Sequence, residues 1–416
     1  MQVWKSVIAI VISVSMFGSM YYLADNETSC EVNAEGPGDD LDEDGRPDEF
    51  EIDQGLDETE NDVEWTFLVY CCGDDVPAGN PAGTILPEMW EFIEKLSWVG
   101  CTDNITIVVQ FDGSDVLNGF HQDQYWNNMQ NNINNGIIPS STSTRRFLVG
   151  MDPNKRWNPN LNLGTNCWHN TVNDPLSSYT LWDVTNWDPR NTGKAHSSLN
   201  WEANMADSST LFEFISWGMD TFISDNYCLY IDSHGDGVKG FGYDYRPNTN
   251  PTTTTKDVLN LSEIKTVSNL LSNENPSKTL DMVMFQSCFM GNLEFCTEFS
   301  SFADYYVASE NIMHTTGNQD DKVLEQLDLN PSWSPARLAR EFIDVEWTYS
   351  RDGNSTPPWN ITDWATSGSV GLTFSNMNNS YLTTTNLLTQ MSIMNTAIQN
   401  GVSAKPSWYN SRLVTS

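Results

Sequence analysis

Tyr227-Cys228-Leu229-Tyr230-Ile231-Asp232-Ser233-His234-Gly235-Asp236-Gly237 and Leu280-Asp281-Met282-Val283-Met284-Phe285-Gln286-Ser287-Cys288-Phe289-Met290-Gly291-Asn292-Leu293-Glu294 decide how this chain reads. Each begins as a short apolar run rich in β-branched and aromatic residues, the pattern of a strand buried on both faces. One run ends in His-Gly and the other in Cys. Open α/β sheets carry their chemistry just beyond the carboxyl ends of parallel strands. A thiol and an imidazole delivered there from two strands make a nucleophile and an acid–base partner, Cys288 and His234.

Similar runs recur outward from this pair. Strands are expected at 65–72, 104–111, 227–233, 280–287 and 303–309. Helices are expected at 87–97, 208–223, 262–272, 289–299 and 335–347. Strands alternating with helices build βαβ units and a largely parallel sheet. Residues 113–200 break the pattern: they are rich in Asn, Trp, Pro and Gly, with little periodicity except Arg145-Arg146-Phe147-Leu148-Val149, and read as long insertions, with a hairpin among them, over one end of the sheet. Residues 350–416 offer one strand, 369–375, and one helix near 384–399.

His-Gly-x-Gly after one strand and Cys-Phe-Met-x-x-x-Glu after the next resemble the clostripain family of cysteine peptidases, within the wider caspase, gingipain and legumain superfamily. Trp65 to Tyr70 followed by Gly73-Asp74-Asp75, Asn204-Met205-Ala206-Asp207 before a helix, and Ala303 to Ser309-Glu310 resemble further blocks of that family in the same order. The resemblance implies an α/β caspase-like three-layer sandwich with a mostly parallel central sheet. It implies Cys288 as nucleophile and His234 as the acid for the leaving amine. It also implies an oxyanion hole from the backbone N–H groups of Gly235 and Cys288, where a missing side chain lets the backbone approach a substrate carbonyl. Gln286, Ser309 and Glu310 are the implied substrate-binding positions. Clostripain-like enzymes have Asp two before the Cys and Asp directly before the His; this chain has Gln286 and Ser233. A P1 pocket lacking that carboxylate is expected to suit a neutral or acidic side chain as well as a basic one. Glu310 reads equally as pocket charge or as a surface carboxylate.

Gly235-Asp236-Gly237-Val238-Lys239-Gly240 also spells G-x-G-x-x-G. A dinucleotide site needs a helix opening at that loop, and Phe241-Gly242-Tyr243-Asp244-Tyr245-Arg246-Pro247 is not one, so the match is accidental. Pro247 to Lys256 has no apolar content and reads either as a processing site between His and Cys or as a plain surface excursion.

Lys and Arg number 20 against 56 Asp and Glu, a formal net charge of −36, which excludes nucleic acid as a partner. An acidic, lysine-poor surface suits saline or calcium-rich surroundings. Lys5 precedes an uncharged run from Val7 to Ala24, which reads as an export signal over residues 1–24 or as an uncleaved membrane tether. Of the eight cysteines none lies in C-x-x-C spacing, so zinc is unsupported. Cys71 and Cys72 point to opposite faces of one strand, and at least one is an inert core thiol.

Residues 25–62 read as an acidic linker carrying one motif. Asp40-Leu41-Asp42-Glu43-Asp44-Gly45-Arg46-Pro47-Asp48-Glu49-Phe50-Glu51 follows the calcium-loop spacing D-x-D-x-D-G-x-x-D-x-x-E position for position. The expected Ca²⁺ ligands are the side chains of Asp40, Asp42, Asp44, Asp48 and Glu51 and the carbonyl of Arg46. Gly45 supplies the sharp turn, and the plain alternative is a solvated acidic linker. Residues 63–416 form the peptidase domain. The chain is thus expected to be a secreted or surface-anchored cysteine endopeptidase acting on peptides or proteins through a Cys–His dyad, with a structural calcium ion. The alternative is a catalytically silent calcium-binding adhesion protein on the same fold.

Overall fold

The computed structural model describes residues 40–61, 63–75, 85–112, 144–151, 181–184, 203–245, 256–274, 279–310, 312–313, 319–352 and 372–376. The expectations for 1–24, 384–399 and most of 247–256 lie outside the described residues. Among those that are described, no helix is long and apolar enough to cross a membrane.

Eight strands form one sheet: β1 (Trp65–Cys72), β2 (Ile105–Asp112), β3 (Arg145–Val149), β4 (Leu181–Asp183), β5 (Asn226–Asp232), β8 (Leu280–Gln286), β9 (Ala303–Ser309) and β10 (Leu372–Asn376). Their order is β10-β9-β8-β5-β1-β2-β3-β4. The five central strands are parallel; at the edges β3 pairs antiparallel with β2, β4 antiparallel with β3, and β10 antiparallel with β9. Every residue of β1 and β2 is buried, as a strand covered on both faces requires. A two-stranded ribbon, β6 (Phe241–Asp244) with β7 (Asp257–Leu259), stands beside the His loop.

Helices cover both faces. On one lie α3 (Ser208–Thr221), α4 (Leu261–Glu274) and α5 (Leu293–Phe299); on the other lie α2 (Leu86–Ser97), α6 (Asp320–Asp328) and α7 (Pro335–Asp352). Alternation along β5 feeds both layers. Tyr230 faces the α2/α7 layer, its ring 4.9 Å from Phe92 and 6.0 Å from Phe342. On the opposite face the Tyr70 ring of β1 lies 5.7 Å from Phe214 of α3. Truncating Phe92 to Ala would cost about 3–5 kcal/mol on the usual scale for a core aromatic. Gly218 lets α3 approach closely, since a Cβ there would run into the Leu68 side chain of β1.

The helix starts follow from local chemistry. Asp207 caps α3 by accepting from Ser209 N at 2.8 Å. Asn260 and Glu263 make a reciprocal capping box on α4: Ser262 N donates to Asn260 Oδ1 at 2.9 Å, and Asn260 N donates to Glu263 Oε2 at 2.8 Å. The helix expected over 289–299 begins only at Leu293. Residues 287–292 form a turn with Phe289 at φ 60°, and Asn292 caps the helix by accepting from Phe295 N. The strand expected at 369–375 is Leu372–Asn376. The elements β4, β6 and β7, of three or four residues, are too short for a periodicity to read from sequence.

The acidic segment from Asp40 onward is packed against the sheet rather than trailing from it. Its helix α1 (Asp48–Gln54) buries Phe50, whose ring meets Trp182 of β4 edge-on at 6.1 Å. Ile223 N donates to Asp44 O at 2.7 Å, and Arg46 Nη1 donates to Thr102 O at 2.7 Å. The loop therefore sits at the amino end of β5, away from the carboxyl strand ends that lead to His234 and Cys288.

Candidate active site

Strands β5 and β8 pair in parallel with Asp232 opposite Gln286. His234 and Cys288 each follow two residues later, so the register alone delivers them side by side at the carboxyl edge. The Ser233 and Ser287 hydroxyls, one from each loop, lie 3.1 Å apart and tie the loops together. Ser233 is thus a loop fastener. A Cβ added to Gly235 would collide with the Cys288 carbonyl oxygen, so the two backbones touch there and only glycine fits.

Gly235 forms a bridge with Phe241 of β6 in which Asp236 N donates to Gly240 O and Gly242 N to His234 O. That is the pairing in which the central residues exchange no hydrogen bonds. Among the described residues the N–H groups of Gly235 and Cys288 have no backbone acceptor. Neither implied oxyanion donor is taken up by the backbone pairing of these loops.

Cys288 is half-buried, and Met313 N donates to its Sγ at 3.2 Å. Burial pushes the Cys288 thiol up, and the Met313 N–H pulls it partly back. That direction favours the thiol over the thiolate at Cys288. The His234 side chain is 31% exposed, and its Nε2 lies 3.2 Å from Oδ2 of Asp75, whose side chain is 0% exposed. Asp75 follows β1, which pairs with β5 on the side away from β8. The crevice beyond β1 and β5 is also where chain order reverses, since β2 lies on one side of β1 and β5 on the other.

Of the three implied substrate-binding positions, Gln286 and Ser309 are buried and Glu310 is exposed. Gly291 N donates to Ser309 O at 2.6 Å, so the Cys turn rests on the end of β9. Gln286 Oε1 lies 3.3 Å from the Tyr230 hydroxyl, which donates to Asp320 Oδ1 at 2.6 Å. The wall beside Cys288 thus has a buried carboxylate behind its neutral amide. Asp75, Tyr230, Met313 and Asp320 were not singled out as functional in the sequence. Only Asp75 left a signal there, as the last residue of Gly73-Asp74-Asp75 after the first strand.

Among the described residues six cysteines are free of disulfides. Burial holds Cys71, Cys72 and Cys228 well above the ordinary thiol value, as inert core thiols.

The acidic loop gathers oxygens at the other pole. Asp40, Asp42 and Asp44 each bring a carboxylate oxygen within 4.8 Å of the others. Gly45, at φ 97°, donates its N–H to Asp40 Oδ2 at 3.1 Å and makes the turn. Asp40 Oδ1, Asp42 Oδ2 and Glu51 Oε2 are buried without a hydrogen-bond donor. Burial and the Asp44 and Asp42 charges push Asp40 up to about 7, while burial, partly offset by Arg46, pushes Glu51 up to about 9. An oxygen-only set of this kind fits a hard divalent cation. Two expected ligands are otherwise engaged. Asp48 Oδ1 accepts from Leu41 N at 2.8 Å, and Glu51 Oε1 lies 3.0 Å from Nη2 of Arg46. The Arg46 guanidinium, also 2.5 Å from Asp44 Oδ2, is a buried internal counter-charge that the loop spacing does not predict.

The family model of the Clostripain family matches residues 69–400. Similar solved structures include a secreted C11 cysteine protease from Bacteroides thetaiotaomicron in complex with an irreversible peptide inhibitor. It is 14% identical with a TM-score of 0.44, over 77% of this chain and 67% of that one. An inactive zymogen C11 protease from Parabacteroides distasonis is 12% identical with a TM-score of 0.39, over 70% and 59%. No curated protein sequence matches the chain. The family match runs from β1 past β10, across His234 and Cys288 and most of the chain, and the chain therefore belongs to the clostripain family of cysteine peptidases.

Proposed function

We propose that the chain is an exported cysteine endopeptidase in which Cys288 attacks the scissile carbonyl and His234 protonates the departing amine. The observation that carries this reading is the β5–β8 register, which sets the His and Cys loops in contact through Gly235. The Cys288 thiol passes its proton to the neutral His234 imidazole as Sγ bonds to the carbonyl carbon. The oxyanion that forms takes hydrogen bonds from the N–H groups of Gly235 and Cys288. The tetrahedral centre collapses, the C–N bond breaks, and the imidazolium gives its proton to the amine. Water then adds to the thioester and releases the acid and the thiol. Export is supported by the apolar run from Val7 to Ala24 and by the strongly acidic composition.

Calcium belongs to the same reading as a structural ion. Asp40, Asp42 and Asp44 would hold it, and it would supply the positive charge that their clustered carboxylates lack. No step of peptide hydrolysis passes through it.

Hydrolysis of a positional peptide library by wild type and Cys288→Ala tests the catalytic assignment. Turnover should vanish in the variant while its melting temperature stays within a few degrees of wild type. Near-normal turnover in purified Cys288→Ala would sink the assignment.

A further inference from the structure

The loop after β1 carries a carboxylate that the Cys–His reading leaves without a task. Three bonds pin that loop. Gly73 N donates to Asp112 O at 2.8 Å, Tyr245 N donates to Asp74 O at 3.0 Å, and Ile85 N donates to Asp75 Oδ2 at 2.6 Å. Asp75 is thereby fixed from β2, from the end of β6 and from the start of α2. Its Oδ2 lies 3.2 Å from His234 Nε2, while its Oδ1 is buried without a hydrogen-bond donor. A carboxylate this desolvated is stabilised chiefly by a charge-assisted bond from a cation or a strong N–H donor. The imidazole beside it is the group that supplies one.

We propose that Asp75 is a positioning residue for His234, so that the catalytic unit is a Cys–His–Asp arrangement rather than a dyad. Asp75 accepts the Nε2–H proton and fixes the tautomer. Nδ1 is then the nitrogen presented to the crevice, where it takes up a proton and hands it to the leaving amine. The carboxylate also stabilises the imidazolium present before that transfer, without itself taking the proton. The arrangement explains how a half-exposed histidine keeps one orientation. The inference rests on the peptidase reading for its catalytic consequence, but not for its geometry.

Two measurements test it. Imidazole ¹⁵N NMR of wild type, with the His234 signals assigned by comparison with His234→Gln, should show the neutral ring protonated on Nε2. The Asp75→Asn variant should shift that population toward Nδ1–H. A wild-type ring protonated on Nδ1 overturns the proposal, whether or not the chain cleaves peptides. In kinetics, Asp75→Asn should lower kcat by about 10²-fold, the scale of a misdirected acid–base group, with KM changed by less than about threefold. Alkylation of Cys288 by iodoacetamide, which needs no protonated leaving group, should be nearly unchanged. A residue that merely caps the start of α2 would instead lower the melting temperature and leave kcat of the folded fraction intact; that outcome also overturns the proposal. Absence of Cys288-dependent hydrolysis in wild type would defeat the peptidase reading, and the tautomer measurement would still decide the role of Asp75.

Discussion

Cys288 is where one residue's environment sets the chemistry. Its thiol is pushed up by burial, and the one opposing influence is the Met313 N–H. The nucleophile is the thiolate, which forms as pH rises through the thiol's pKa. A raised pKa therefore means a small thiolate fraction at neutral pH and a reaction rate that keeps climbing into the alkaline range. The alkylation rate of Cys288 by iodoacetamide should still be increasing between pH 8 and pH 9. A plateau below pH 7 would reveal a thiolate held by a neighbouring cation and would overturn this expectation. The neighbouring thiols stay silent for a related reason: Cys71, Cys72 and Cys228 are buried beyond reach of any reagent.

Two elements show how backbone shape serves the site. The first is the turn after β5. Gly235 abuts the Cys288 carbonyl, and the strand-to-ribbon geometry leaves its N–H pointing out of the ladder. Gly235→Ala forces the two loops apart. It should cost about 1–3 kcal/mol of stability, the scale of overpacking, and lower kcat at least tenfold by displacing both oxyanion donors. Thermal melts and steady-state kinetics on the same preparation check both; a variant with unchanged kcat would remove the oxyanion role. The second element is the acidic loop with α1. Its sequence reads as a self-contained ion loop on a linker, yet Phe50, Arg46 and Glu51 are buried against the domain. A peptide of residues 39–52 lacks the Thr102 carbonyl and the Thr221–Ile223 backbone on which the loop rests. It should therefore bind calcium more weakly than the full chain, by titration calorimetry on both; equal affinity would show that docking contributes nothing.

For the whole molecule, the proposed calcium ion would couple the pole that holds Asp40, Asp42 and Asp44 to the stability of the sheet. A ligand bound only by the native state adds about 2.7 kcal/mol when its free concentration is about 100 times its dissociation constant. Calcium should accordingly raise the melting temperature by several degrees and leave kcat at 25 °C unchanged, while EDTA reverses the shift. Asp42→Ala combined with Asp44→Ala should abolish the shift. A melting temperature indifferent to calcium would mean that Arg46 alone, ion-paired to Asp44 and Glu51, neutralises the loop.

Much of this architecture is legible in the residues. Buried parallel strands announce themselves as continuous apolar runs, and so β1, β2, β5, β8 and β9 lie within a residue or so of their expected bounds. His234, Gly235 and Cys288 stand out because each breaks such a run with a residue of distinct chemistry. What no linear pattern carries is lateral order. That β5 lies between β1 and β8 is a property of strand pairing, and it alone brings Asp75 to His234 across 159 residues of chain. The same holds for Asp320, brought to Tyr230 and Gln286 by the packing of α6. It holds again for Arg46, whose guanidinium enters a loop that the spacing assigns to a metal ion. Sequence by itself determined which residues can react, because reactivity resides in side-chain type. Only the tertiary structure decided which carboxylate each one meets, because a charge acts over a few ångströms of space and not along the chain.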